Sequence, residues 1–177
     1  MNNTKKFEWE VWIKDKEKCK KAFDRYLEKK VINREQEKEN LSKSHMRKTD
    51  YNLDFINFLM ENGAFYDWII TGCYYSIYHS ALALLSKKGY SSKNHTATLC
   101  ALIHLYYSLD NNGLKKEDIE LVAKSSLEKE EVSYFVEAKD KRETASYGVS
   151  EEFSKDESIK LKDKTIQFVN KVRRILE

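Results

Sequence analysis

Proline does not occur in the 177 residues, and glycine occurs only five times. A β-sandwich or barrel, which needs a turn signal about every 8–12 residues, is excluded by that scarcity, as are collagen-like and proline-rich linker architectures. Cysteine is also sparse. Cys19, Cys73 and Cys100 are odd in number and widely spaced, which excludes a disulfide framework and reads as buried free thiols of a reducing compartment. No glycine-rich phosphate loop, CxxC pair, HExxH or GxSxG motif is present, so the strongest signatures of nucleotide hydrolysis, zinc chemistry and serine catalysis are missing. A large excess of one charge is lacking too. The net charge is +3, and the positive balance lies in residues 1–50, where fifteen basic side chains meet ten acidic ones. Mixed Lys and Glu at that density reads first as a solvated helix face rather than a phosphate-binding stripe.

What is present is a helical pattern. From Trp68 to Ser86 no Asp, Glu, Lys or Arg occurs, although a third of the chain is charged. Thr71, Tyr74, Tyr75, Ser76, Tyr78, His79 and Ser80 interrupt this run with groups costly to strand in lipid, so it reads as the central buried helix of a protein and not as a membrane span. Gly72, Ser76, Ser80 and Ala83 recur at spacings of four and three, which predicts a face where another helix backbone comes close. Asn62-Gly63 and Gly89 are stop signals on either side.

An apolar face over Met46 to Leu59 predicts a preceding helix that starts near Ser42 or Ser44. Ser92 or Asn94 suits the cap of a following helix that begins at His95 and stops near Leu109. DNNG at 110–113 reads as a turn and Leu114–Lys124 as a short helix. A longer helix is expected over Glu128 to about Tyr147, and a last one is driven by Ile159, Leu161, Phe168, Val169 and Val172. Residues 7–32 hold a helical period from Cys19 onward, and Ile32–Leu41 reads as a polar helical extension or a flexible joint. No useful strand pattern appears. The fold class is all-α: an antiparallel bundle of four to five core helices over residues 42–177, with residues 1–41 as an N-terminal helical arm. MNNTKKFEWEVW lacks the apolar run of a signal peptide, so a cytoplasmic protein is expected.

Few side chains suggest chemistry. Cys100 and His104 stand four apart, as two metal ligands would, but with no further ligand in view they read as packed residues, and neither a metal nor a cofactor is expected. His79 and His95 are candidates for proton transfer near neutral pH. The plainer reading of His79 is a buried ring bonded to a neighbouring tyrosine or serine. For His95, at a helix N-terminus where phosphate also binds, the plainer reading is capping.

The order GAFYDWIITGCYYSIYHSALALLSKKGYSSKNH, followed by AKDKRETASYGVS and a helix ending FVNKVRRIL, resembles the HEPN superfamily, above all its small stand-alone prokaryotic branch, over about residues 42–176. The resemblance implies a helical bundle that dimerises, with metal-independent endoribonucleases and RNA- or nucleotide-binding proteins among its members. Many are paired with a small nucleotidyltransferase in toxin–antitoxin or defence settings. The ribonucleases carry an Arg followed, four to six residues later, by His. In this chain Arg142 is followed by Tyr147 instead, a poor base at pH 7. The resemblance therefore implies a homodimer that binds RNA or a nucleotide phosphate through Lys93, Lys139, Lys141, Arg142 and Tyr147, with a degenerate nuclease motif. Two alternatives stand beside it: an active endoribonuclease in which His79 or His95 replaces the missing histidine, and a non-enzymatic adaptor that binds a protein partner.

Overall fold

The computed structural model describes residues 8–63, 65–107, 113–124 and 155–177. The chain opens with α1 (Glu8–Lys14) and α2 (Lys16–Glu28), separated by Asp15, whose carboxylate accepts from the Lys18 amide at 3.0 Å and so starts the second helix. A three-residue strand β1 (Ile32–Arg34) leads into α3 (Lys38–Asn62), then α4 (Tyr66–Lys87), strand β2 (Tyr90–Ser92) and α5 (His95–Tyr106). Residues 116–124 are helical and are called α6 here; α7 spans Lys155–Leu176. No described helix is long and apolar enough to cross a membrane. The all-α expectation holds among the described residues.

The centre is α4, buried over most of its length, with α3 along one side, α7 along another and α5 against its C-terminal half. The row of small residues does what its spacing predicts. Gly72 lies so close to α3 that a Cβ there would come within 2.7 Å of the Ile56 side chain. Thr49 hydrogen-bonds the Ser80 hydroxyl at 3.2 Å, and Ser42 donates to the Ala83 carbonyl at 3.0 Å. The buried Ser76 and Ser80 hydroxyls donate to carbonyls one turn back in α4, which removes the cost of placing them in the core. Gly63 ends α3 in the left-handed region, φ 64°, as expected of a helix stop. Asn94 caps α5 by accepting from the Ala97 amide at 2.9 Å.

Two expectations are corrected. Ile32–Leu41 is neither an extended helix nor a joint: β1 pairs antiparallel with β2, Ile32 opposite Ser92 and Arg34 opposite Tyr90, and α3 begins at Lys38 rather than at Ser42 or Ser44. A three-residue strand is too short to leave an alternating pattern, and its pairing is imposed by a partner distant in sequence. The α3 start carries no capping signal, because Glu37 makes no side-chain bond there.

Trp12, Cys19, Phe23 and Ile32 are buried in one core with α5, α7 and the C-terminal half of α4. The Cys19 thiol points to the Cys100 carbonyl at 3.6 Å and the Cys100 thiol to the Cys19 carbonyl at 3.7 Å, and all three cysteines are free and buried. On the far side, Lys171 of α7 pairs with Asp118 of α6 and Arg173 with Asp50 of α3. The turn residues 110–112 and the helix expected over Glu128–Tyr147 lie outside the described residues.

Candidate functional site

The antiparallel register that sets Thr49 against Ser80 brings His45 of α3 to His79 of α4. Their Nδ1 atoms are 3.1 Å apart and their rings are tilted by 31°. At that distance one nitrogen donates and the other accepts, so the pair holds a proton between two rings. Burial pushes the His45 pKa down. His79 is pushed down to about 4, first by burial, then by the positive charge that His45 would carry and by Lys48. Both rings are therefore neutral at pH 7. Tyr75 stacks on His79 with ring centres 6.5 Å apart.

Aromatic rings connect this pair to His95. The Tyr78 ring lies 6.3 Å from that of His79 and 4.5 Å from that of His95, while the buried Tyr74 hydroxyl sits 3.1 to 3.2 Å from the His95 ring nitrogens. Tyr78 is held in its neutral form, its pKa raised by burial. His95 is the first residue of α5, but Asn94 does the capping, so the plainer reading of His95 is corrected. That of His79 is corrected too: its partner is another histidine rather than a tyrosine or serine hydroxyl.

Two neutral imidazoles with Lys48 beside them can accept a proton, donate one, or hydrogen-bond an anionic oxygen. A divalent cation would meet the Lys48 ammonium, and among the described residues no group of three or more His, Cys, Asp and Glu side chains converges. Cys100 and His104 do not form half of a metal site either. The former is fully buried with its thiol turned to Cys19, whereas the latter is exposed with its ring tilted against Phe23 at 4.6 Å. Lys93 is exposed in the turn before α5. Lys139, Lys141, Arg142 and Tyr147 lie outside the described residues.

His45 was not singled out by sequence reasoning. A signal existed: it shares a helical face with Ser42, Thr49, Asn52 and Ile56, the residues turned toward the small-residue row of α4.

The pair makes stability depend on acid. An unfolded histidine titrates near 6.5, so as pH falls below that value the unfolded chain takes up protons that folded His79 refuses until about 4. The stabilisation is complete above about pH 6.5 and is lost as pH falls toward 4. Thermal melts are expected to show Tm dropping across that window, with a shallower drop in His79→Gln. An unchanged slope in that variant would remove the pair as the cause.

A helical bundle with a tyrosine-rich central helix and histidines on its accessible side defines the class, and the comparison with known families narrows it. The family model described as HEPN domain matches residues 42–175, and the chain belongs to that family. No curated protein and no solved structure matches the chain.

Proposed function

We propose that the protein binds RNA or a nucleotide phosphate as a homodimer, beside a small nucleotidyltransferase in a toxin–antitoxin or defence setting, with little or no nuclease activity. The family supports the RNA- or nucleotide-directed part. The observation that carries the site is the neutral His45–His79 pair next to Lys48, two hydrogen-bonding rings beside a cation. Arg142, Tyr147, Lys139, Lys141 and Lys93 supply the remaining phosphate contacts in this reading.

The lowered pKa of His79, about 4, supports binding over cleavage by that residue. A general base works best with a pKa near the working pH, and His79 falls well short of that. The endoribonuclease reading rests instead on the pair acting together, or on His95, and it predicts cleavage that survives EDTA.

The test is incubation of the full chain with a mixed RNA pool, with and without EDTA, beside Arg142→Ala, His45→Ala and His79→Ala. Binding without cleavage is expected, weakened roughly 10- to 100-fold in Arg142→Ala, the value of one charge-assisted phosphate contact. Metal-independent cleavage lost in His79→Ala would establish the ribonuclease instead. Neither binding nor cleavage would leave the adaptor.

A further inference from the structure

The α3–α4 hairpin carries large apolar side chains that the described fold leaves uncovered. Tyr51 is 66% exposed, Phe55 39%, Phe58 61%, Phe65 67% and Trp68 54%. Tyr51, Phe55, Phe58 and Trp68 lie along adjoining faces of α3 and α4. Tyr51, Phe55 and Phe58 follow one another at helical spacing along α3. Phe55 lies beside Gly72 of α4, and Trp68 is one turn before Gly72. An aromatic band of this kind, on a continuous face, is the mark of an interaction surface rather than of scattered surface residues.

Phe65 adds a second sign. It is a non-glycine residue at φ 61°, and in that conformation its carbonyl accepts from the Trp68 and Ile69 amides to start α4 while its ring stands 67% exposed.

Charge selects the kind of partner. From Thr49 to Ser86 the chain has no Lys or Arg, while Asp50, Asp54, Glu61 and Asp67 fall among or beside the aromatics. Asp50 is paired with Arg173 and Lys48 lies 4.6 Å over the Tyr51 ring, so it is from Asp54 onward that a nucleic acid would meet carboxylates along the band. The preceding half of α3 has the opposite character, with Lys38, Lys43, Arg47 and Lys48 against Glu39, which is itself paired with Lys87. Within the described residues no ion pair engages Arg47 or Glu61. One helix thus carries a basic half, an aromatic middle and an acidic half, an order that complements itself when reversed.

We infer that the aromatic band is the face on which a second copy of this chain docks, with the two α3 helices antiparallel about a two-fold axis near Asp54 and Phe55. That register sets Tyr51 of each copy against Phe58 of the other and Arg47 of each against Glu61 of the other, as an isologous interface requires. The aromatics form the dry centre and the charged pairs the rim. The inference rests on the dimer of the functional reading and adds the face that makes it.

The test is the mass of the full chain in solution, by light scattering and sedimentation, for wild type, Phe58→Asp, Trp68→Asp, Arg47→Glu, Glu61→Arg and the Arg47→Glu/Glu61→Arg double variant. Wild type is expected at twice the chain mass, and Phe58→Asp and Trp68→Asp at the chain mass with unchanged far-UV circular dichroism. Each single charge variant is expected to weaken association about tenfold, and the double variant to restore it. A dimer that ignores Phe58→Asp overturns this face and leaves the dimer itself standing. A monomeric wild type overturns both. A monomeric wild type that also melts lower with Phe58→Asp shows the band covered by the protein's own chain. A variant that stays dimeric but loses RNA makes the band an RNA surface instead.

Discussion

Gly72→Val is expected to destabilise the protein by about 2–3 kcal/mol, close to the upper end for overpacking a core. The reason is local. A Cβ at position 72 would sit 2.7 Å from Ile56 Cγ1 and 3.3 Å from Cδ1, well inside contact, and Ile56 is fully buried in a cluster with Leu59, Ile69 and Cys73. Neither side can give way without moving α3 off α4. Valine is a somewhat better helix former than glycine, but that gain is a few tenths of a kcal/mol and does not offset the clash. A double-mutant cycle with Ile56→Ala should recover roughly 1 kcal/mol, because that change removes both the Cγ1 and the Cδ1 that the new side chain would meet. Strict additivity in denaturant melts would mean that the helices are not in contact at this point. The same displacement would widen the His45–His79 gap, so the histidine contribution to the acid dependence of Tm should shrink with it.

Phe168→Ala is expected to cost more, about 3–5 kcal/mol and roughly 10 °C in Tm. Phe168 is 1% exposed and lies in the core that also holds Leu114, Ile119 and Val172, so it joins α7 to α6 and to the rest of the core. Removing the ring leaves a cavity between elements already fastened nearby by Lys171 and Asp118, and this pairing limits how far α6 and α7 can collapse into it. A loss below about 1 kcal/mol in calorimetry would mean that the site relaxes or that α7 is packed differently.

Much of this architecture was readable because it is written in local chemistry. The charge-free run from Trp68 to Ser86 could only be a core helix, and its glycine and serines could only face another backbone. Gly63, Gly89 and Asn94 mark ends by mechanisms that act within a few residues. What depended on remote partners was not readable. The β1–β2 pairing joins residues whose own side chains show no alternation, and α3 starts at Lys38 without a cap to announce it. Phe23 lies in the helical period that begins at Cys19, but that period does not show that it would meet α5. The candidate site divides along the same line. His79 and His95 could be picked out as histidines in an apolar setting, whereas the pairing of His79 with His45 follows from the register of α3 on α4, which only the packed helices set.

The two short strands have a further effect on the hairpin between them. Because residues 32–34 are stitched to 90–92, the entry to α3 and the exit from α4 are fixed side by side. Chain length added or removed at the turn around Gly63 would leave that fastening unchanged. The turn at the other end, where Phe58, Phe65 and Trp68 stand exposed, is held by no such pairing of strands.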